Sequence, residues 1–199
     1  HRTPPLPPRQ LHYTTMASAT TPSKLPVECG EDVMSPKAHG TSEVPVQDNL
    51  RYGCDKATAD RICNFNRHYA EHSGYAVGKT SWLQTISQTE TTDYFDSNTG
   101  KLLFTAPVGR SYEDFIAESK SHGWPSFRDA EVNWEFVRCL ENGECVSVDG
   151  THLGHNLPDR TGNRYCINLG TCVRCPFGGC VSGALRQPPP RNPTPPHPH

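Results

Sequence analysis

The sequence predicts a mainly β domain that begins with helices and continues as antiparallel strands. Apolar residues alternate with polar ones over residues 132–136, which indicates a strand with one solvent-exposed face. Asn142-Gly143 is a hairpin turn signal, and residues 146–148 have the apolar character of a returning strand. A third short apolar run covers residues 163–170. These closely spaced strands determine the predicted fold class.

The first helical segment is predicted over residues 56–71. Ile62, Phe65 and Tyr69 follow one another at a spacing that puts them on one face of a helix. We therefore expect this face to pack against the domain.

A second helix is predicted between Ser111 and Gly123. Asp114 stands three residues after Ser111, which is the capping-box spacing, and a glycine is the usual residue beyond the end of a helix. The chain must then turn sharply at Trp124-Pro125.

The hairpin around Asn142-Gly143 contains two cysteines whose pairing depends on the length of the turn. A two-residue turn pairs Leu140 with Cys145 and puts Cys139 and Cys145 on opposite faces. A three-residue loop over residues 141–143 pairs the two cysteines directly, within the range of a disulfide. We favour the three-residue loop.

The proline distribution predicts the domain boundaries. Of the 19 prolines in the 199 residues, eight lie in residues 1–45 and seven in residues 188–199. Such polar, proline-rich ends bury too little apolar surface to offset the entropy of ordering them, and the mean hydropathy of the chain is only −0.67. We expect disordered segments at 1–45 and 182–199, with one domain at 46–181.

Charge and hydropathy exclude two classes of protein. The net charge of −2 and the isoelectric point near 6.6 argue against nucleic-acid binding by bulk charge. No apolar run reaches the roughly 18 residues of a membrane span.

The nine cysteines are an odd number, so at least one thiol is expected outside an intramolecular disulfide. We expect a cytoplasmic or organellar monomer rather than a secreted protein.

The densest polar cluster lies between His152 and Asn168 and contains the best candidate nucleophile. Cys166 stands two residues after Arg164, and nearby cationic groups favour the reactive thiolate form of a cysteine. The alternative is that Cys166 is a small apolar residue of a buried strand, as many free cysteines are.

Histidines near cysteines also suggest zinc. Cys172 and Cys175 form a CxxC half-site, but it follows the histidines, which is the wrong order for a zinc finger. A site built from Cys172, Cys175 and Cys180 with a fourth ligand stays open. The spacing HLGH at residues 152–155 lacks the glutamate of a HExxH metalloprotease.

Trp124, in the sequence GWPSF at residues 123–127, has two interpretations. A tryptophan followed by proline on a turn either fills the core or forms the wall of an apolar pocket.

Taken together, GWPSF at 123–127, HLGH at 152–155 and RYCIN at 164–168 resemble the methionine-R-sulfoxide reductase B family, also called the SelR domain. The resemblance covers about residues 99–169. It implies a small open barrel, or tent, of two antiparallel sheets with short helices on the N-terminal side. It also implies reduction of methionine R-sulfoxide, free or within oxidised proteins, by a cysteine that becomes a sulfenic acid.

The resemblance also implies residue roles. Cys166 is the nucleophile, Trp124 is the wall that receives the substrate methyl group, and His155 with His152 binds and protonates the sulfoxide oxygen. The remaining matched residues form a polar shell: Asp159, Arg164 and Asn168.

The chain departs from the family pattern at the zinc site. Many members hold zinc with four cysteines, and this chain has Asp96, Thr99, Val146 and Asp149 at those positions. We therefore expect no zinc and no other cofactor.

The second departure concerns the thiol that regenerates the nucleophile. The family often has a cysteine two residues before the tryptophan, where this chain has His122. Cys63 is our first candidate to replace it, followed by Cys175 or Cys180. The alternative is that no internal cysteine acts and that an external thiol reductant such as thioredoxin attacks Cys166 directly. The rival function is a non-catalytic methionine-binding module whose cysteines form disulfides.

Overall fold

The computed structural model describes residues 24–175, and its fold is mainly β. Two antiparallel sheets, of two and five strands, are accompanied by a few short helices, and the sheets do not close into a barrel. This is the predicted fold class. Among residues 24–175, no helix combines the length and the apolar character that crossing a membrane requires. The predicted tail at 182–199 and residues 1–23 lie outside the described residues.

The helices are short and most of them precede the sheets. They are α1 (Lys56–Asp60), α2 (Tyr75–Gly78), α3 (Trp82–Thr85) and α4 (Tyr112–His122). The end of α1 continues into one π-helical turn, Arg61–Phe65.

Strands β1 (Thr92–Phe95) and β2 (Leu102–Ala106) form the smaller sheet. The larger sheet has the order β3-β7-β6-β5-β4, and all of its neighbouring strands are antiparallel. Its strands are β3 (Ser126–Phe127), β4 (Val137–Cys139), β5 (Glu144–Ser147), β6 (His152–Asn156) and β7 (Tyr165–Ile167).

Aromatic side chains join the two sheets and α4. Phe104 of β2 stacks on Phe127 of β3 with ring centroids 4.4 Å apart, and Phe115 of α4 packs against the same ring. Trp82 donates from Nε1 to the hydroxyl of Tyr94 at 3.0 Å. All five side chains are buried, so this cluster forms the core beneath the larger sheet.

Helix α4 forms where its local signals predict it. Ser111 is the N-cap, and its hydroxyl oxygen accepts a hydrogen bond from the Asp114 N–H at 3.0 Å. Gly123 ends the helix with φ 89°, a conformation that glycine adopts without the strain of a side chain.

The first predicted helix is too long. Helical backbone ends at Phe65 rather than at residue 71, and of the expected apolar face only Ile62 is buried. Phe65 is 60% exposed and Tyr69 is 38% exposed. The six residues after Phe65 instead form an irregular segment that contacts distant parts of the sequence. Arg67 binds Glu144, and the Glu71 carboxylate accepts from the Leu169 N–H.

The strand predicted over 132–136 begins later, at Val137. Asn133 folds the chain into a turn: its side-chain oxygen accepts from the Glu135 N–H, and its carbonyl accepts from the N–H of Val137 at 3.0 Å. This local hydrogen bonding competes with strand pairing.

The hairpin register agrees with the three-residue loop. Cys139 is the direct partner of Cys145, and the Leu140 N–H donates to the Glu144 carbonyl at 2.8 Å. The two sulfur atoms lie 3.4 Å apart, and both thiols are free.

Residues 24–45 differ from the expected disorder. The Cys139 N–H donates to the Val27 carbonyl at 2.9 Å, and the Cys29 N–H donates to the Cys139 carbonyl at 3.0 Å, so this segment pairs with the edge of β4. Met34 is buried against Leu140 and Val146. Edge pairing supplies the contacts that the composition of the segment does not predict.

Candidate active site

One row of side chains crosses four strands of the larger sheet. Ser126 is paired with Cys166, Cys166 with His155, and His155 with Glu144. Directly paired residues of an antiparallel sheet point to the same face. The sheet therefore places a thiol, an imidazole and a carboxylate side by side.

A bulge brings the second histidine to the same face. His152 and His155 are three residues apart, so a regular strand would point them to opposite faces. In β6, however, the partner of Cys145 is Gly154 and the partner of Val146 is His152, so Leu153 is the extra residue of a β-bulge. The two imidazole rings consequently meet, with centroids 5.7 Å apart.

Gly154 allows strands β6 and β7 to approach each other at Cys166. A Cβ atom at this position would lie 2.0 Å from the Cys166 carbonyl oxygen. The position therefore needs a residue without a side chain, which explains the glycine between the two histidines.

Cys166 is partly exposed, and its sulfur has two polar neighbours. The Arg164 guanidinium donates from Nη1 to the sulfur, and the Ser126 hydroxyl lies 3.8 Å from it. A fixed positive charge beside the sulfur is the setting in which cysteines act as nucleophiles. Cys166 is thus not a residue enclosed in the core, which was the alternative from sequence.

Six of the seven residues predicted to form the site line one cleft of about 570 Å³. They are Trp124, His152, His155, Arg164, Cys166 and Asn168. The cleft is also lined by a segment that sequence reasoning did not assign, Arg67 to Ala70, and by His122 and Leu157. The wall of the cleft therefore includes residues that do not belong to the sequence motifs.

Asp159 is exposed and is not among the residues that line the cleft. Its carboxylate accepts from Arg128 Nη2 at 2.7 Å and lies 3.7 Å from Arg164 Nε. Hydrogen bonds from Arg128 and Thr161 hold the pKa of Asp159 well below its usual range. Asp159 thus contacts Arg164, the side chain that contacts the Cys166 sulfur.

Glu71 fixes Trp124 and Asn168 from the N-terminal side. The indole Nε1 of Trp124 donates to the Glu71 carbonyl at 3.0 Å, and the Glu71 N–H donates to Asn168 Oδ1 at 2.9 Å. The buried Glu71 carboxylate accepts from the N–H groups of Leu169 and Gly170 at 2.8 and 2.7 Å. Trp124 is therefore held as a wall of the cleft and does not fill the core.

The two histidines differ in their partners. His152 Nδ1 lies 2.7 Å from Glu144 Oε1, in a buried contact, whereas His155 has no carboxylate partner among the described residues. Burial, and then the neighbouring His152, lower the pKa of His155. Burial acts to raise the pKa of Glu144, but hydrogen bonds from His152 and Arg67 outweigh it and lower that pKa to about 2.

Glu144 and Arg67 were missed by sequence reasoning. Arg67 binds Glu144 through Nε and Nη2, although 77 residues separate the two in sequence. Neither residue belongs to a motif, so no sequence signal joins them before the fold is known.

The cysteines expected to regenerate Cys166 are not in the cleft. Cys63, the first candidate, is fully buried in the core, where burial raises the pKa of its thiol well above the ordinary value. Its helical turn packs inward, so this fold does not bring the first-ranked cysteine to Cys166. Cys175 is disulfide-bonded, and Cys180 lies outside the described residues. Of residues 24–175, only Cys166 brings a thiol to the cleft.

Two of the four positions at which the resemblance led us to look for zinc ligands hold carboxylates with partners of their own. Asp96 is buried and accepts from the Thr151 hydroxyl at 3.0 Å and from the Asn98 N–H at 2.8 Å. Asp149 forms an ion pair with Lys101 at 2.9 Å. In the part of the chain that the structure describes, no three His, Cys, Asp or Glu side chains are grouped to hold a metal ion. The disulfide at Cys175 also removes one thiolate from the alternative three-cysteine site.

A comparison with protein-family models finds none that matches this chain.

Proposed function

We propose that this protein reduces methionine R-sulfoxide to methionine, with Cys166 as the nucleophile. The observation that carries the proposal is the setting of Cys166: Arg164 contacts its sulfur, and His155 is its direct neighbour in the sheet. The apolar face needed for a methyl group is supplied by Trp124 in the same cleft. The resemblance of these residues to the methionine-R-sulfoxide reductase B family supports the same reaction.

The reaction requires both a nucleophile and an acid. A sulfoxide sulfur is a poor electrophile until its oxygen is protonated, so proton donors must lie beside the thiolate. Four histidines line the cleft, and His152 and His155, whose rings lie 5.7 Å apart, are the two that the resemblance assigns to this role. The Cys166 thiolate attacks the sulfur of the protonated sulfoxide and forms a sulfur–sulfur bond, and the substrate oxygen leaves as water. A water molecule then attacks the cysteine sulfur and breaks this bond, so methionine is released and Cys166 becomes a sulfenic acid. Cysteine is oxidised by two electrons and the sulfoxide is reduced by two.

The stereochemistry follows from the arrangement of the cleft. If the methyl group lies on Trp124 and the oxygen faces the histidines, only one epimer presents its sulfur to Cys166. The epimer assigned by the resemblance is R.

Recycling is proposed to depend on an external thiol such as thioredoxin. Two external thiols convert the sulfenic acid back to the Cys166 thiol, with release of water and formation of a disulfide. This proposal is supported by the partial exposure of Cys166 and by His122 at the position where the family often has a cysteine.

The test is turnover of separate R and S epimers of a methionine sulfoxide peptide with dithiothreitol. We expect the wild type to reduce only the R epimer and Cys166→Ser to be inactive while remaining folded. The matched control is Cys29→Ser, a half-buried free cysteine that does not line the cleft, and it should retain full activity. Equal turnover of both epimers, or full activity of Cys166→Ser, would contradict the proposal.

The rival binding module receives less support. It uses its cysteines as disulfides, whereas seven of the eight cysteines in residues 24–175 are free. A binding module would also bind oxidised peptide without consuming dithiothreitol, which the same assay detects.

A further inference from the structure

Two large apolar side chains are exposed at the cleft that holds Cys166. Tyr69 is 38% exposed and Leu157 is 48% exposed, and both line the cleft. Three other large apolar side chains are exposed among residues 24–175, and none of them lines this cleft: Val44, Phe65 and Val108. Exposed apolar surface beside a site is typical of a place that another molecule covers.

The backbone of both residues is held by hydrogen bonds. The Leu157 N–H donates to the Arg164 carbonyl at 2.7 Å, directly after the end of β6. The Tyr69 N–H donates to the Asn66 carbonyl at 3.0 Å, and the Arg61 guanidinium lies 4.2 Å from the centre of the Tyr69 ring. Both side chains are therefore preorganised, which reduces the entropy lost when a ligand packs on them.

The segment that carries Tyr69 is anchored on both sides of it. Arg67 Nε donates to the Glu144 carboxylate at 2.9 Å, and the Glu71 N–H donates to Asn168 Oδ1 at 2.9 Å. Residues 67–70 consequently line the cleft. The N-terminal part of the chain thus supplies a wall that the sequence motifs do not contain.

The size of the cleft allows more than one substrate side chain to enter. Its volume of about 570 Å³ is in the range of sites that hold drug-sized ligands, which are larger than a single methionine side chain. Tyr69 and Leu157 are therefore available to residues of the substrate that adjoin the sulfoxide.

The charges of the cleft do not favour a charged neighbour of the sulfoxide. None of the described residues that line the cleft is Asp or Glu. Its two arginines already have partners. Arg67 pairs with Glu144. Arg164 contacts the Cys166 sulfur. An apolar neighbour therefore fits this wall better than a charged one.

We propose that Tyr69 and Leu157 are specificity-determining residues that bind an apolar side chain next to the methionine sulfoxide of a polypeptide substrate. The sulfoxide reaches Cys166, and the adjoining apolar residue packs on the exposed surface of Tyr69 and Leu157. This inference rests on the proposed function and names its substrate class, which is methionine R-sulfoxide within an apolar stretch of polypeptide.

The experiment compares pentapeptides with blocked termini that carry methionine R-sulfoxide in the centre and leucine, glycine or glutamate on both sides. We expect kcat/KM of the wild type to be about 5- to 10-fold higher with leucine than with glycine, because part of the leucine surface leaves water. The difference should lie in KM rather than in kcat, since a flanking contact is equally strong before and in the transition state. Tyr69→Ser/Leu157→Ser should remove the difference in KM between the two peptides.

Matched variants separate this role from a general effect on the fold. Phe65→Ser removes an exposed aromatic ring four residues before Tyr69, and Val108→Ser removes an exposed aliphatic side chain. Neither residue lines the cleft, so both variants should keep the wild-type preference for leucine. Tyr69→Phe keeps the ring and should keep the preference as well. A merely structural role of Tyr69 would instead lower kcat with all three peptides.

Four outcomes would overturn the inference and leave the proposed function in place. They are equal KM values of the wild type for the leucine and glycine peptides, a preference for the glutamate peptide, a preference that survives in Tyr69→Ser/Leu157→Ser, and a preference that is lost in Phe65→Ser or Val108→Ser.

Inactivity of the wild type on every peptide would overturn the proposed function instead. Binding of the same peptides to Cys166→Ser, measured by isothermal titration calorimetry, requires no turnover. Tighter binding of the leucine peptide would then support the role of Tyr69 and Leu157, and equal affinities would overturn it.

Discussion

Replacing Gly154 with alanine would add a single methyl group where strands β6 and β7 are closest. The new Cβ atom would lie 2.0 Å from the carbonyl oxygen of Cys166 and 3.0 Å from its carbonyl carbon. Real Cβ contacts are essentially never shorter than 3.0 Å, so the backbone must move by at least about 1 Å. Because the obstructing atom belongs to the backbone of β7, no change of side-chain rotamer can relieve the clash.

Two consequences of Gly154→Ala can be measured. Overpacking of this kind costs about 1–3 kcal/mol, which corresponds to a fall of roughly 2–12 °C in the melting temperature of a domain of this size. A displacement of about 1 Å between a nucleophile and its acid can reduce the rate about 100-fold. We therefore expect thermal unfolding followed by circular dichroism to show the lower melting temperature. Turnover of the R epimer should fall about 100-fold, although most of the protein remains folded at the assay temperature.

Gly78→Ala is the matched control. Gly78 ends helix α2, and a Cβ atom there would have no neighbour within 4 Å. This variant should keep full activity and unfold at the wild-type temperature or slightly above it. If Gly154→Ala instead matched Gly78→Ala in both measurements, the reasoning about how the sheet positions Cys166 would be refuted.

Three further predictions concern Glu71, the hairpin cysteines and zinc. Burial raises the pKa of Glu71 to about 7 from 4.5, so its contribution to stability is greatest at acidic pH and is lost as the pH rises through about 7. In Glu71→Gln, the free energy of unfolding measured with urea should depend less on pH between 4.5 and about 7. An unchanged pH dependence would disprove the assignment. Oxidation with diamide should join Cys139 and Cys145, because their sulfur atoms are already 3.4 Å apart. Peptide mapping that finds both thiols unmodified would contradict this. The purified protein should contain no stoichiometric zinc and melt at the same temperature with a chelator, whereas elemental analysis showing about one zinc per chain would refute the prediction.

Local signals allowed part of the fold to be predicted. Helix α4 was predicted correctly because Ser111 and Asp114 form its cap and Gly123 ends it, all within one short segment. The hairpin register was also predicted, because the turn residues and the two cysteines lie close together in sequence.

Elements that depend on distant contacts could not be predicted in this way. Strands β1 and β2 form the smaller sheet and pack against Phe127 of the larger one through Tyr94 and Phe104. Their sequence carries no turn signal as clear as Asn142-Gly143. Within residues 24–45, Val27 and Cys29 pair with β4, which the composition of the segment gives no reason to expect.

In the candidate site, too, the residues of short motifs could be predicted, whereas contacts between residues distant in the sequence could not. The motif residues around Cys166 were predicted, and six of the seven line one cleft. The contacts that distinguish His152 from His155 were not predicted, because Arg67 reaches Glu144 across 77 residues of sequence. The β-bulge that turns both histidines to one face was also invisible, since it depends on how β5 and β6 pair.

The most direct test of the proposed chemistry is one turnover without reductant. The protein is mixed with one equivalent of an R-sulfoxide peptide and then trapped with dimedone, which labels sulfenic acids. We predict one equivalent of methionine peptide and a dimedone adduct on Cys166 alone, with no product from the S epimer. No methionine peptide, or a label on any cysteine other than Cys166, would contradict the account.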